Sequence, residues 1–550
     1  MQISAEARTL VAFINPATGE NFGQIAAATP AEAQAAVREL RAAFPAWSGR
    51  TIAQRVAVLR EVQRELLDAC DEITAVISQD TGKPRQDALL EVLVTVDFLN
   101  EACRHAAHWL RRERVASGLY IFKQFFVERR PYGVALVIAP WNYPFALCLP
   151  PLFEALLAGN TVVLKPSEVT AATGALIERL LARVPALAPF VRVVHGGGAV
   201  GAALVAAPPD FIFLTGSPAT GKVVMRAAAE QLTPMTAELG GKDAMIVLAD
   251  ADVAAAAEWG AWGSFFNAGQ TCMAVERVYV ADSIYEPFVA QAVAAASAQR
   301  LGHSAALDAP YQIGPLTYQQ QLDTVERHVA DAVAQGARVL TGGKHNGLFY
   351  EPTVMVDVTH AMLIMQAETF GPIMPIMRFA DEAEAVRLAN DSAFGLSASV
   401  WSRDHAHAEA VARQLQTGSV IINDTIAHFG VPQMPFGGQK DSGFGRTHGR
   451  DGLRQFTQPF ALAVGAPPQA LDVATLLRRP GHYTLTSALM HLVFGVTPAQ
   501  RLKPVVAAAR QAADKAKRVD LRRVALSAGA AGLAAALAFA FIARRSRRRP

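Results

Sequence analysis

Cysteine is scarce in this chain: four in 550 residues, at Cys70, Cys103, Cys148 and Cys272. They are too few and too scattered for a disulfide framework, and no C-x-x-C pair suggests zinc, so neither a stapled fold nor a metal site is expected. A reducing compartment fits best. Charge of one sign is also not in large excess. The net charge is +3, with much of the surplus arginine near the C-terminus, which leaves no case for nucleic acid. The opening MQISAEARTLVAF lacks a basic start followed by an apolar run, so no cleavable signal is expected. Sequence repeats and low-complexity segments are absent before about residue 500.

What is present is a globular composition, 51% hydrophobic and 18% charged. A chain of this length predicts two or three domains. Residues 31–115 read as helices, with apolar residues three and four apart among charges. From Gly133 the texture changes to short β-branched runs: GVALVIAP (133–140), NTVVLKP (160–166), VRVVHGG (191–197), FIFLTGS (211–217) and AMIVLAD (244–250). Ala- and Leu-rich helical segments separate them. Near-continuous apolar strands alternating with helices predict a parallel sheet covered on both faces. The alternation then repeats, with helical segments around 251–262, 285–300, 318–335, 382–390 and 404–416 between further strand-like runs, which predicts a second α/β domain. Residues 117–130, SGLYIFKQFFVERR, read as an extended ribbon outside either sheet, of the kind that usually finds a partner strand.

Three residues at turns could carry chemistry. Cys272 in FFNAGQTCMAVERVYV follows a polar, Gly-containing turn and precedes a strand; it is either an inert buried thiol or a nucleophile. Glu238 stands before a Gly-Gly turn, as a buried ion-pair member or a general base. Asn142 in IAPWNYPF follows a strand end, as a helix cap or an oxyanion donor. Together, a nucleophile, a base and an amide donor make a coherent site for acyl chemistry. Two stretches could cradle a phosphate: Gly196–Gly201, which satisfies G-x-G-x-x-G, and FLTGSPATGK (213–222) with Thr215, Gly216, Ser217 and Gly221. Pattern alone does not choose between them.

The segments PWNYPF, AGNTVVLKPSE, FLTGS, ELGGKD, FNAGQTC, ETFGP, LANDSAFGLSASVWS and PFGGQKDSGFGR, in that order, resemble those of the NAD(P)-dependent aldehyde dehydrogenase superfamily over roughly residues 10–465. The resemblance implies an oxidoreductase acting on aldehydes, with Cys272 as nucleophile, Glu238 as general base and Asn142 as oxyanion donor. It implies an NAD site, NADP being the alternative, in which Lys165 meets the adenosine ribose and Glu168, beside Ser167, favours NAD. Ser217, with Thr215, Gly216 and Gly221, meets the pyrophosphate, while Glu368 and Phe370, with Trp141, hold the nicotinamide riboside. The family thus places the pyrophosphate at Ser217; the Gly196–Gly201 loop departs from the usual context, and its role stays open.

The implied fold is α/β: a Rossmann-like cofactor domain (1–116 and 131–240), an α/β catalytic domain (241–455) and a small β bridging element (117–130 and 456–465) that pairs subunits, at least as a homodimer. NDTIAHF (423–429) and the WNYPFALCLPPLF stretch look closest to lipid- and carotenoid-aldehyde members. Leu147, Phe266 and Phe429, with Trp141 and Pro150, suggest an apolar substrate lining. Small or mixed aldehydes, semialdehydes included, are the alternative substrates, and a catalytically silent membrane scaffold is the alternative of another class.

Beyond the family region, residues 466–523 read as a helical basic spacer. YTLTSALMHLVFGV (483–496) places Leu485, Leu489, Leu492 and Val493 on one helical face. Residues 524–543 hold no charge, and ten Lys/Arg flank them. Twenty helical residues reach about 30 Å, the hydrocarbon thickness of a bilayer. A transmembrane helix is expected there, binding membrane lipid and leaving the catalytic domain in the cytoplasm.

Overall fold

The computed structural model describes residues 8–118, 120, 123–465 and 482–516. Among them two compact units emerge. One combines the residues up to Arg111 with Arg129–Pro459; the other combines Arg112–Glu128 with residues from Phe460 onward.

The first unit opens with a hairpin, Leu10–Ile14 against Asn21–Ala26, that periodicity did not reveal. Four helices follow: Pro30–Ser48, Ile52–Asp68, Cys70–Thr81 and Arg85–Trp109. The first two start at capping boxes, Thr29 with Glu32 and Thr51 with Gln54, in which side chain and backbone satisfy each other's orphan N–H groups. The long fourth helix buries Ala88, Glu91, Thr95, Phe98 and Ala102, a stripe at three- and four-residue spacing that carries two polar side chains inward.

The first sheet runs in the order Gly443–Phe444, Met235–Glu238, Phe211–Thr215, Val134–Ile138, Thr161–Lys165, Val191–Val193. Its last five strands are parallel. Val134–Ile138 and Thr161–Lys165 are buried along their whole length, as strands covered on both faces must be. Chain order departs in opposite directions from Val134–Ile138, so a switch point lies between it and Phe211–Thr215. Ligands of such sheets bind beyond the carboxyl ends of the strands at that point.

The second sheet has seven strands: Arg338–Thr341, Thr353–Val356, Ile373–Phe379, Val275–Ala281, Asp243–Val247, Ser397–Trp401 and Ser419–Ile422. All are parallel except the edge strand Arg338–Thr341. The run AMIVLAD belongs to this sheet rather than to the first. Two strands of the first sheet went unread. Met235–Glu238 is too short to show a period, and Gly443–Phe444 returns from far along the chain to pair antiparallel with Glu238 and Ala237.

The second unit is built on a three-stranded sheet of Glu113–Val115, Lys123–Pro131 and Thr457–Gly465, with Glu113 opposite Val127 and Val115 opposite Phe125. The extended ribbon expected at 117–130 is thus a strand in a sheet of its own. Two helices, Tyr483–Phe494 and Pro498–Ala516, pack against each other. Among the described residues no helix is long and apolar enough to cross a membrane. The span expected at 524–543 lies outside the described residues, as do 466–481 and 517–523 of the spacer.

Candidate active site

An open cleft of about 210 Å³ lies in the first unit. Its lining brings together Trp141, Asn142, Thr215, Gly216, Ser217, Glu238, Cys272, Glu368 and Phe370, from five separate turns. Asn142 sits just beyond strand Val134–Ile138, and Thr215–Ser217 just beyond Phe211–Thr215, so both flank the switch point.

Cys272 is partly buried and precedes strand Val275–Ala281. The turn before it is strained: Asn267 and Ala268 have φ of 54° and 55°, a region non-glycine residues visit rarely. Side chains hold it there. Asn267 Nδ2 donates to Asn142 O at 3.2 Å and to Gln270 O at 3.1 Å, and Gln270 Nε2 donates back to Asn267 O at 3.0 Å. Burial, and then the carboxylates of Asp243, Glu368 and Glu238, push the Cys272 thiol up. The sulfur therefore rests as a thiol, and a hydrogen bond from its own backbone N–H is what favours the thiolate.

Asn142 is buried, and its Nδ2 donates to Gln270 O at 3.1 Å. A primary amide has two N–H donors, so one remains for a substrate oxygen. Beside it, the Tyr143 hydroxyl meets Thr271 Oγ1 at 2.6 Å and ties this arm to the cysteine loop. Beneath the arm lies a buried ion pair that sequence reading missed. Lys83 Nζ is 2.6 Å from Glu91 Oε1 and donates to Asn142 O at 2.8 Å, while Glu91 Oε2 accepts the N–H groups of Phe145 and Ala146, each at 3.1 Å.

Glu238 is buried, and neither carboxyl oxygen has a hydrogen-bond partner among the described residues. Burial raises its pKa well above the carboxylate range, and Arg446 opposes that rise. Unpaired and desolvated, this carboxyl is held neutral, and no partner among the described residues competes for a proton once it ionises. Burial likewise pushes Glu368 up to about 8. The two glycines after Glu238 exist for close approach. A Cβ on Gly240 would stand 2.3 Å from Glu368 Oε2, and one on Gly241 would stand 2.2 Å from Cys272 O. Gly241 N also donates to Glu368 Oε1 at 3.0 Å.

A second buried pair fixes the Glu368 turn. Lys242 Nζ meets Glu276 Oε2 at 2.5 Å and Thr369 Oγ1 at 3.1 Å, while Glu276 accepts the N–H groups of Thr369 and Phe370 at 2.7 and 2.8 Å. Phe370 and Trp141 meet edge to face with ring centres 5.4 Å apart.

Ser217 caps helix Pro218–Ala229, accepting the N–H of Thr220 at 3.2 Å, so a helix N-terminus opens on the cleft. Gly221 lets this helix press on Leu239, which a Cβ would meet at 2.8 Å. Lys165 and Glu168 lie outside the cleft lining and pair at 3.1 Å; Ser167 caps the short turn beside them. The Gly196–Gly201 loop lies against this pair: a Cβ on Gly197 would stand 3.4 Å from Glu168 Oε1, and one on Gly201 3.6 Å from Lys165 Cε.

Leu147, Pro150 and Phe429 line the cleft, joined by Phe436, Thr447 and His448. Phe266 does not. It packs, with Cys272 and Phe429, against the cluster that includes Phe436, its ring 5.3 Å from that of Trp262 and 6.4 Å from that of Tyr143. The missed residues of this wall are Phe436, inside the motif PFGGQKDSGFGR, and His448, two residues beyond it; only the three-dimensional return of the chain shows them as lining.

Comparison with known proteins agrees with this geometry. The sequence profile of the Aldehyde dehydrogenase family matches residues 3–461. The 4,4'-diapolycopene aldehyde oxidase of Methylomonas sp is 42% identical over 456 residues, covering 82% of this chain and 85% of that protein. The glutarate-semialdehyde dehydrogenase of Pseudomonas aeruginosa is 35% identical over 462 residues, covering 82% and 93%. The solved structure of a Mycobacterium tuberculosis aldehyde dehydrogenase complexed with NAD+ superposes with a TM-score of 0.79 at 34% identity, covering 84% of this chain and 95% of that one. A thiol, an orphaned carboxyl and a spare amide N–H converging on one cleft, in a chain matched by that profile over most of its length, lead to one conclusion: this protein belongs to the aldehyde dehydrogenase family.

Proposed function

We propose that this enzyme oxidises apolar, long-chain aldehydes to carboxylic acids with NAD, and that it does so at a membrane surface. The observation that carries the substrate reading is the cleft wall. Leu147, Pro150, Phe429 and Phe436 form it, and no lysine or arginine among the described residues lines it. A semialdehyde carboxylate would enter without a counter-charge, at a desolvation cost.

The cofactor fits the residues present. The floor at Gly216 is open, with no atom nearer than 3.9 Å to where a Cβ would stand, and the Ser217 helix N-terminus faces it. Thr215–Ser217 and Gly221 would hold the pyrophosphate, Lys165, Ser167 and Glu168 the adenosine ribose, and Trp141, Glu368 and Phe370 the nicotinamide riboside. When bound, NAD supplies the acceptor for the hydride that leaves the aldehyde carbon.

The chain's own residues do the rest. Cys272 releases its proton to solvent and its sulfur attacks the carbonyl carbon, placing negative charge on the carbonyl oxygen. The spare Asn142 N–H and the Cys272 backbone N–H receive that charge. Loss of hydride leaves an acyl thioester on Cys272. Glu238, once ionised, takes a proton from water, the water oxygen attacks the thioester carbon, and the carbon–sulfur bond breaks to release the acid and the Cys272 thiolate. Because burial raises Glu238, this last step quickens as pH rises toward the base's own pKa.

A second reading, small or mixed aldehydes, draws on the semialdehyde-oxidising relative. Lipid association draws on the second unit, where Tyr483, Met490, Phe494, Val496, Leu502 and Val506 are exposed, and on the uncharged run 524–543 with its arginine flanks. In this reading the catalytic unit faces the cytoplasm, and the three-stranded sheet pairs two copies into a homodimer.

The test is NAD reduction on aldehydes of increasing chain length, with full-length protein and a truncation before Val524. Rising kcat/KM with length supports the substrate reading, and a clear preference for a short semialdehyde sinks it. Truncated protein that still sediments with vesicles sinks the anchor. A Glu238→Gln variant should give one turnover of NADH and then stall.

A further inference from the structure

The turn that carries Glu368 and Phe370 holds a strained residue. Phe370 has φ 53°, in the left-handed region that aromatic residues visit rarely. Such a conformation persists only where its surroundings over-determine it. Glu276 accepts two N–H groups of this turn. Further contacts come from the buried face of one helix, Gln319–Ala334, at four- and three-residue spacing. Gln321 Nε2 donates to Thr369 O at 2.8 Å and to Phe370 O at 3.0 Å. A Cβ on Gly371 would stand 2.3 Å from Val325 Cγ2, so the backbone there lies directly on the helix. His328, buried, meets Thr369 Oγ1 through Nδ1 at 3.2 Å.

The last contact has a fixed direction. Lys242 Nζ donates to Thr369 Oγ1 at 3.1 Å, and an ammonium cannot accept. The single hydroxyl proton of Thr369 therefore needs another acceptor, and among the described residues His328 Nδ1 is the one within reach. Burial first, and then the Lys242 charge, push the pKa of His328 down to about 4, so the ring is neutral and Nδ1 accepts. Thr369 is itself buried, and a hydroxyl stranded there costs stability that the turn can recover only by relaxing.

We propose that His328 is a positioning residue for the cofactor: by accepting the Thr369 hydroxyl it keeps the Glu368–Phe370 turn in its strained, cofactor-holding form. It acts through the turn, since it does not line the cleft. This rests on the reading of Glu368 and Phe370 as cofactor residues.

The experiment measures NAD dissociation constants by fluorescence quenching without aldehyde, and then steady-state rates. His328→Leu is expected to weaken NAD binding and raise cofactor KM by about tenfold, with kcat and aldehyde KM within about twofold of wild type. His328→Asn, whose side-chain oxygen can stand where Nδ1 stood, should recover most of that affinity. Thr369→Val removes the hydroxyl that needs the acceptor, so adding His328→Leu to it should cost little more. Thermal midpoints are recorded beside each constant, and if His328→Leu does not fold, His328→Phe is read in its place. Unchanged NAD affinity in His328→Leu overturns the proposal, as does an Asn variant no better than Leu, or a double variant whose losses add. Glu368→Gln tests the underlying reading. If it leaves NAD affinity unchanged, the turn is not a cofactor site and this proposal falls with it. If it weakens NAD binding and His328→Leu does not, the proposal alone falls.

Discussion

Two buried lysine–glutamate pairs lie under this cleft, and they solve the same problem in different places. In each, the carboxylate accepts two consecutive backbone N–H groups and so fixes a turn: Glu91 holds Phe145 and Ala146, and Glu276 holds Thr369 and Phe370. The first pair steadies the arm that carries Asn142, to whose carbonyl Lys83 also donates. The second steadies the turn that carries Glu368 and Phe370. In the proposed reaction, one device serves the reacting carbonyl and the other the cofactor. A buried ion pair is weak evidence of net stability, because desolvation offsets its attraction. Here its use is positional, and a loosened pair should show which half of the reaction it serves.

The largest expected effect comes from removing one partner. Lys83→Met or Lys242→Met strands a buried carboxylate and should cost about 3–5 kcal/mol in denaturant unfolding. The double variants Lys83→Met/Glu91→Leu and Lys242→Met/Glu276→Leu should recover much of that loss. The comparison breaks if single and double variants are equally stable.

Next come the residues that the pairs position. Asn142→Ala should lower kcat by roughly 10²–10³ while cofactor KM moves little. Glu368→Gln should act mainly on cofactor KM. Equal effects on both parameters from both variants would erase the distinction between the two turns.

A smaller effect concerns pH. Glu368 titrates at about 8, raised by burial. Above that pH it is a full carboxylate acceptor, so cofactor KM should fall as pH rises through about 8. In Glu368→Gln the profile should be flat there. A slope that survives the substitution assigns the titration to another group.

The smallest sits beside the first pair. Burial pushes Asp87 up to about 7, with Lys83 lowering it and Glu91 raising it. An unfolded aspartate releases its proton near pH 4, so between there and about 7 the folded state binds the extra proton. Stability from this group therefore declines as pH rises across that window. Asp87→Asn should remove the decline, worth about 2 °C in midpoint between pH 5 and 8. An unchanged slope would refute it.

The reaction was more legible in the sequence than its scaffolding. Cys272, Glu238 and Asn142 each sit in a short segment of family-like residues, and the structure brings all three to one cleft. Strands such as Val134–Ile138 announced themselves because a strand covered on both faces is apolar throughout. Lys83 and Glu91 did not, because a lysine and a glutamate eight residues apart look like a solvated helix start, and the arm they hold begins 59 residues after Lys83. Phe266 was read as substrate lining, and it packs against the same cluster as Cys272 without lining the cleft. The left-handed residues Asn267 and Ala268 redirect the chain between them. His448 was unreadable for another reason: nothing near it in sequence says that Phe98, on a helix far upstream, closes over its ring.

The two-residue strand Gly443–Phe444 binds the edge of the first sheet after the chain has completed the second. It works as a stitch. The cofactor sheet cannot keep its outer edge covered unless the polypeptide that follows the catalytic sheet has already come home. During synthesis the first sheet must therefore wait, with Met235–Glu238 as an open edge, until residue 444 is available. A nascent chain stopped short of that point would present the very edge that carries Glu238 to any strand able to pair with it.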